Sequence, residues 1–364
     1  MIHEHKEELY IKPDRLSDLL FDENSVIFDI ETTGFSPAHT QMYLIGCAHR
    51  KENTLIIDQF FASDKEEEVE ILRAFMDLVK DFSTLISYNG VGFDIPFIKA
   101  KCDAYDIKEN FSSMNYLDIF KSISSLKFLF KLPNYKQKTI ESFLGLRRED
   151  PFSGGELINV YYGYQQNHEE QTLQALMLHN YEDLLGMAAV LPVLSYLEIF
   201  HGQYSITDTA IGTFPSYEEE QQKELIITLR NDYPVPKRLS YLRHGFYFMT
   251  KDTTTTIRVP IYRGELYYFY PDYKNYYYLP DEDIAIHKSV ANFVEKGYRE
   301  TAHAYNCYNR KSGEFLPQHE EIMNPLFREK YKDKISYFEL TEDFCSSDVM
   351  LRRYVDHILN LLLN

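Results

Sequence analysis

The stretch VIFDIETTG, Val26 to Gly34, decides the fold. Val26, Ile27, Phe28 and Ile30 form an almost continuous apolar run broken by Asp29. That is the pattern of a strand buried in a central sheet. Asp29 and Glu31 are spaced i, i+2, so on a strand both carboxylates project from one face. Like charges at the end of a buried strand repel one another, and a cation between them relieves the repulsion. Thr32, Thr33 and Gly34 then turn the chain, with glycine allowing close backbone approach to a ligand. An acidic strand end that merely faces solvent would carry the same residues. Further acidic sites downstream decide between the two.

Outward from this stretch, Met42 to Ala48 and Thr54 to Phe61 read as two more strands around a polar turn, His49 to Asn53. Lys65 to Lys80 has helical apolar spacing at Val69, Leu72, Phe75, Met76 and Val79. Thr84 to Ser87 is a short strand, and Pro96 suits the first turn of a helix, which places Asp94 at a strand-to-helix junction. Leu173 to Phe200 is a long helical pattern with a bend expected at Pro192. Upstream, the charged first 24 residues read as a lead-in with a peripheral helix around Pro13 to Phe21. Strands followed by alternating helix and strand predict an α/β fold with a mixed sheet.

From about Gly202 the texture becomes β-rich. Strands are expected at Glu224 to Leu229, Gly245 to Thr250, Thr254 to Ile261 and Glu265 to Tyr270, with helices near 283–297 and 348–363. The tyrosine cluster at 267–278 reads as packing for a twisted sheet rather than a base-stacking platform. Asp281, Glu282 and Asp283 read as an acidic first helical turn. The expected domains are 1–203 and a smaller α+β domain at 204–364.

The 364 residues carry a net charge of −18, with 30 Tyr, 25 Phe and no Trp. An acidic chain does not coat nucleic acid through a broad cationic surface, so phosphate binding must be local. Residues 151–200 contain no Lys or Arg, whereas residues 101–150 hold 9 Lys/Arg against 7 Asp/Glu. Lys138, Arg147 and Arg148 in that segment are candidates for a phosphate track. Cys47, Cys102, Cys307 and Cys345 have no paired spacing, which fits a reducing cytoplasm and argues against structural zinc. No signal peptide or membrane association is expected from the N-terminal pattern or from the short apolar run Ile358 to Leu363.

Three acidic sites recur at element edges: Asp29/Glu31, Asp94 within NGVGFD, and Asp183 within HNYED, with His179 at i−4 on the same helix face. Four carboxylates converging from separate elements would hold two hard divalent cations. Two such ions clamp the attacking and leaving oxygens of an in-line displacement at phosphorus. A neutral imidazole, with an unperturbed pKa near ~6.5, could accept a proton from water.

FDIETTG, NGVGFD and HNYED resemble the three motifs of DEDD-type 3′→5′ exonucleases of the ribonuclease H-like superfamily. LDIF at Leu117 to Phe120 and LPNYKQKTIESFLGLRRED at 132–150 resemble the predicted bacterial RNase H-like (YprB-type) exonucleases in particular, over about residues 22–200. The resemblance implies a mixed five-stranded sheet flanked by helices and hydrolysis of single-stranded DNA or RNA from the 3′ end with two Mg²⁺ or Mn²⁺. It implies Asp29, Glu31, Asp94 and Asp183 as metal ligands and His179 as the base. Thr32, Thr33, Gly34, Asn89, Phe93, Lys138 and Arg148 are the candidate substrate contacts. Asp118 either supports the site or begins a helix. In the family's histidine branch the base precedes the last Asp by five positions and in the tyrosine branch by four; here His179 stands four before Asp183. The rival expectation is a non-catalytic nucleic-acid or protein binding module on the same scaffold.

Overall fold

The computed structural model describes residues 1–11, 13–215 and 221–363, which form two compact units. One comprises Met1–His201 with Tyr233–Lys237, and the other Gly202–Asp232 with Arg238–Asn364.

The first unit contains β1 (Ile2–Leu9), α1 (Arg15–Leu20), β2 (Ser25–Thr32), β3 (Met42–Lys51), β4 (Thr54–Phe61), α2 (Glu68–Val79), β5 (Thr84–Ser87), α3 (Asp94–Ala104) and β6 (Asn115–Asp118). It continues through α4 (Ile119–Ser124), α5 (Lys127–Phe130), α6 (Gln137–Leu144), α7 (Gly154–Asn167), α8 (Glu170–Val190) and α9 (Ser195–Phe200). The strands form one mixed sheet in the order β1-β4-β3-β2-β5-β6. Strands β1, β4, β3 and β2 pair antiparallel, while β2, β5 and β6 pair parallel.

The sheet has six strands rather than the five expected. Neither β6 nor β1 is located by the sequence reading; β1, IHEHKEEL, carries too many charges to read as buried structure. It is an edge strand paired through its backbone to β4, a place where charged side chains are tolerated and protect the edge. The expected peripheral helix follows as α1, capped by Asp14, whose carboxylate accepts from the Ser17 amide at 2.8 Å.

Strand alternation divides the faces of β2. Val26, Phe28 and Ile30 join a core with Ile71, Leu72 and Phe75 of α2 and Phe97 and Ile98 of α3. Asp29 and Glu31 point the other way, toward α8. On the α8 side, Tyr43 and Phe61 pack with Tyr161 and Tyr164 of α7 and Leu176 of α8. The Glu170–Phe200 run is apolar and long enough by composition to cross a membrane, and 61% of its most apolar window is buried inside the protein. Its bend falls where expected: α8 ends at Val190, and a 3₁₀ turn, Leu191–Leu194, carries Pro192 near its start.

The second unit holds β7 (Tyr204–Pro215), β8 (Gln221–Arg243), β9 (Phe246–Pro260), β10 (Tyr262–Phe269), β11 (Tyr276–Leu279), β12 (Ile284–His287), β13 (Glu300–Thr301), β14 (Tyr308–Gln318) and β15 (Ser336–Glu339), then α10 (Glu342–Ser346) and α11 (Asp348–Leu363). These strands make three small sheets, β7-β8-β9, β10-β14-β15 and β12-β11-β13. The helix expected near 283–297 is absent. Asp283 stands in a β11–β12 turn at φ 53° and accepts from the Tyr278 and Tyr308 hydroxyls at 2.6 and 2.5 Å. Cross-strand pairing of Tyr276–Leu279 with Ile284–His287 overrides the local acidic-first-turn signal.

One buried ion pair ties the turn after β2 to the helical face of the sheet. Glu68 accepts from the Met42 amide (2.6 Å), from Lys101 Nζ (2.8 Å) and from the Tyr105 hydroxyl (2.6 Å), and Lys101 also donates to the Thr40 carbonyl (2.7 Å). Removing one partner leaves the other charge buried and unpaired. Lys101→Met is therefore expected to destabilise the protein by roughly 3–5 kcal/mol, read as a lower midpoint in urea denaturation.

Candidate active site

The acidic cluster is assembled from three directions. β2 supplies Asp29 and Glu31, the start of α3 supplies Asp94, and α8 supplies His179 and Asp183. Asp94 lies against β2, where its carboxylate accepts from the Ile30 amide at 3.3 Å. Asn180 of α8 donates to Asp29 Oδ2 at 3.0 Å, while its own side-chain oxygen accepts from Gln59 Nε2 at 2.9 Å. This array needs Gly46 on β3, opposite Asp29. A Cβ there would sit 2.0 Å from Asn180 Oδ1.

The i, i+4 spacing of His179 and Asp183 does what a helix dictates. His179 Nε2 lies 3.3 Å from Asp183 Oδ2 and 3.5 Å from Glu31 Oε1. Its other nitrogen, Nδ1, contacts Asp150 Oδ2 at 2.6 Å. A carboxylate on Nδ1 makes that nitrogen the donor and leaves Nε2 as the acceptor, aimed into the acidic cluster.

Asp150 was not among the residues singled out from the sequence. It lies in the loop after α6, as the last residue of the LPNYKQKTIESFLGLRRED segment, where neither periodicity nor spacing marks it. Glu182, one residue before Asp183, holds that loop by accepting from the Glu149 and Asp150 amides at 2.8 and 2.9 Å. Phe35 was also passed over. It is 90% exposed beside the β2 turn, with its ring edge-on to Phe93 at 5.9 Å.

Lys138 and Arg148 both pair with acids of the domain, Arg148 largely buried and Lys138 with its side chain 41% exposed. Lys138 Nζ donates to Asp150 Oδ2 at 2.8 Å and to the Phe152 carbonyl. Arg148 forms a bidentate pair with Glu141 and reaches Asp183 Oδ1 at 2.5 Å. Glu141 can approach α8 because residue 186 is glycine; a Cβ there would lie 2.0 Å from Glu141 Oε1.

Asp118 begins a helix and also holds a loop. It caps α4 by accepting from the Lys121 amide at 3.0 Å and holds the loop before α3 by accepting from the Asn89 and Val91 amides at 3.0 and 3.2 Å. Asn89 itself takes φ 68°. In the turn after β2, Thr32 Oγ1 donates to the Gly34 carbonyl at 2.8 Å, and Thr33 Oγ1 accepts from the Gln41 amide at 2.9 Å.

Electrostatics mark the cluster as short of positive charge. Burial, then repulsion from Asp183, Glu31 and Asp94, raises Asp29 well above the usual carboxylate range. Burial, then Asp183 and Asp94, does the same to Glu31. Asp94 is pushed up to about 7, mainly by burial. Asp183 is raised by burial despite the opposing pull of His179 and Arg148. Asp150 differs: burial pushes it up, but hydrogen bonds from Lys138, the Phe152 amide and His179 prevail and hold it low. An oxygen-rich, mutually repelling donor set of this kind suits a hard divalent cation. Glu31, His179 and Asp183 bring ligand atoms within 4.8 Å of one another and could hold one, with Asp29 and Asp94 as neighbouring carboxylates.

With this geometry in place, the class of the domain follows. Residues 26–195 match the family model of the RNase H superfamily, and this part of the chain is an RNase H-like domain. At the level of particular proteins, the chain is 26% identical over 171 residues to the uncharacterized protein YprB of Bacillus subtilis (strain 168), covering 46% of this chain and 41% of that relative. The match thus spans less than half the length of the curated relative. Among solved structures, the family B DNA polymerase of the archaeon Pyrobaculum calidifontis aligns with a TM-score of 0.39 at 16% identity, over 48% of this chain and 26% of that one. E. coli exonuclease I in complex with a dT13 oligonucleotide aligns with a TM-score of 0.33 at 10% identity, over 57% and 55%.

The raised carboxylates make the metal-free fold sensitive to pH. An unfolded aspartate titrates near ~3.9, whereas Asp94 in the folded protein titrates at about 7. Between those values the native state binds more protons, so stability is lost as pH rises through the interval. Asp94→Asn keeps an acceptor for the Ile30 amide but removes the charge. In chelator, its Tm is expected to exceed wild type by a margin that grows from pH 5 to pH 7.5, and Mn²⁺ should erase the margin by stabilising only the wild type.

Proposed function

We propose that the first unit is a metal-dependent 3′→5′ exonuclease that hydrolyses single-stranded DNA or RNA in the cytoplasm. The observation that carries this reading is the cluster of Asp29, Glu31, Asp94 and Asp183, with His179 held by Asp150 so that its Nε2 faces Glu31 and Asp183. When bound, Mg²⁺ or Mn²⁺ would supply charge neutralisation and Lewis acidity toward a scissile phosphate.

The protein's own groups would do the rest. His179 would accept a proton from the attacking water through Nε2, and Asp150 would stabilise the imidazolium that results. Asn180 would keep Asp29 in its orientation. Phe35 and Phe93 offer aromatic faces at the edge of the cluster for terminal bases, a contact that is indifferent to sequence. Thr32, Thr33, Gly34 and Asn89 would place backbone against the 3′-terminal nucleotide.

Arg148 supports a second reading. Its guanidinium already neutralises Asp183, as it would in a binding module that retains the fold without turnover.

Digestion of 3′- and 5′-labelled oligonucleotides with Mn²⁺, Mg²⁺ or chelator separates the two. Stepwise shortening from the 3′ end that needs metal and is abolished in Asp29→Asn and Asp183→Asn is the expected result. Circular single-stranded DNA should remain intact. His179→Ala should lose roughly 10²–10⁴-fold in rate, and Asp150→Asn roughly 10–100-fold. Substrate binding without turnover under every metal condition would select the binding module.

A further inference from the structure

A second cluster of metal-binding side chains lies on the opposite face of the same sheet. Asp58 sits on β4 directly between His5 of β1 and Cys47 of β3, so its side chain shares the face of Phe60 rather than that of Gln59 and Asn180. The same parity brings up His3, opposite Phe60, and His49, opposite Ile56. His3 Nε2 and His5 Nδ1 both lie 2.8 Å from Asp58 Oδ1, and His49 Nε2 lies 3.9 Å from Asp58 Oδ2. The chosen nitrogens of His3 and His5 and the Asp58 oxygen lie within 4.8 Å of one another.

Asp58 is largely buried, at 9% side-chain exposure, yet its ionic partners among the described residues are three imidazoles, with no Lys or Arg. A buried carboxylate is ordinarily matched by a fixed cation. Here imidazole rings stand in that place, each with a ring nitrogen turned toward the same group. Packing positions two of them. The His3 ring lies against Phe60 at 4.7 Å and the His49 ring against Phe82 at 5.1 Å. The half-exposed His3 and His5 leave a path from solvent.

We propose that His3, His5 and Asp58, with His49 as the fourth donor, form a binding site for a zinc-class transition-metal ion that clamps the edge strand β1 to β4 and β3. Bonds of about 2.0–2.2 Å in a tetrahedron place ligand atoms about 3.4 Å apart, so small side-chain rotations admit the ion. Imidazole nitrogens favour Zn²⁺, Co²⁺ or Ni²⁺ over the Mg²⁺ or Mn²⁺ suited to the acidic cluster. The two sites thus differ in face, in donors and in preferred metal.

The test is Co²⁺ and Zn²⁺ titration of the untagged, chelator-stripped full chain, following the visible cobalt bands and stoichiometry. Wild type and Asp183→Asn are expected to take one equivalent showing tetrahedral cobalt bands that Zn²⁺ displaces and millimolar Mg²⁺ does not. The His3→Gln/His5→Gln variant should bind that equivalent at least tenfold more weakly. Hydrogen exchange on wild type gives a reading independent of any variant: Zn²⁺ should slow exchange of the β1 and β4 amides. Equal affinity in the double variant, loss of all cobalt binding in Asp183→Asn, or unchanged β1 exchange with Zn²⁺ would each overturn the proposal.

Discussion

The structure depends on a cost: several carboxylates are buried together at the end of one strand. β2 is held on one face by a continuous apolar core, and the same alternation that buries Val26, Phe28 and Ile30 forces Asp29 and Glu31 to the other. Nothing in the packing requires acids there, and their mutual repulsion works against folding. What surrounds them limits that cost. Asn180 donates to Asp29, the Ile30 amide donates to Asp94, and Arg148 lies against Asp183. The remaining deficit of positive charge is what a divalent cation would supply.

A shell of less conspicuous groups holds this arrangement, and most of them lie on or against α8. In HNYED, His179 and Asp183 face the cluster, Asn180 orients Asp29, and Glu182 holds the loop that carries Asp150. Two glycines make the approach possible: Gly46 gives Asn180 its space, and Gly186 admits Glu141, which in turn holds Arg148. Lys138 and Arg148 looked like cations waiting for phosphate. Both pair with acids of the domain, the half-exposed Lys138 with Asp150 and the buried Arg148 with Glu141 and Asp183. A cation in a basic segment is free only if no acid folds against it, and sequence does not reveal which acids will.

The sequence by itself determined the elements whose signal is periodic and local. Alternation in VIFDIETTG located β2 and put Asp29 and Glu31 on one face. Helical spacing located α2 and α8 and put His179 beside Asp183, and proline marked the end of α8. These follow from bond geometry within a few residues, which no tertiary contact needs to supply. Tertiary structure decided what depends on partners far along the chain. The charged edge strand β1 exists because β4 offers an unpaired edge, and Ile284–His287 became a strand because Tyr276–Leu279 was available to pair. Asp150 met His179 because Glu182 and Lys138 hold its loop, and three histidines met Asp58 because the register of β1, β4 and β3 aligned them. Local pattern fixes which way a side chain points; only the completed sheet and its helices fix what it points at.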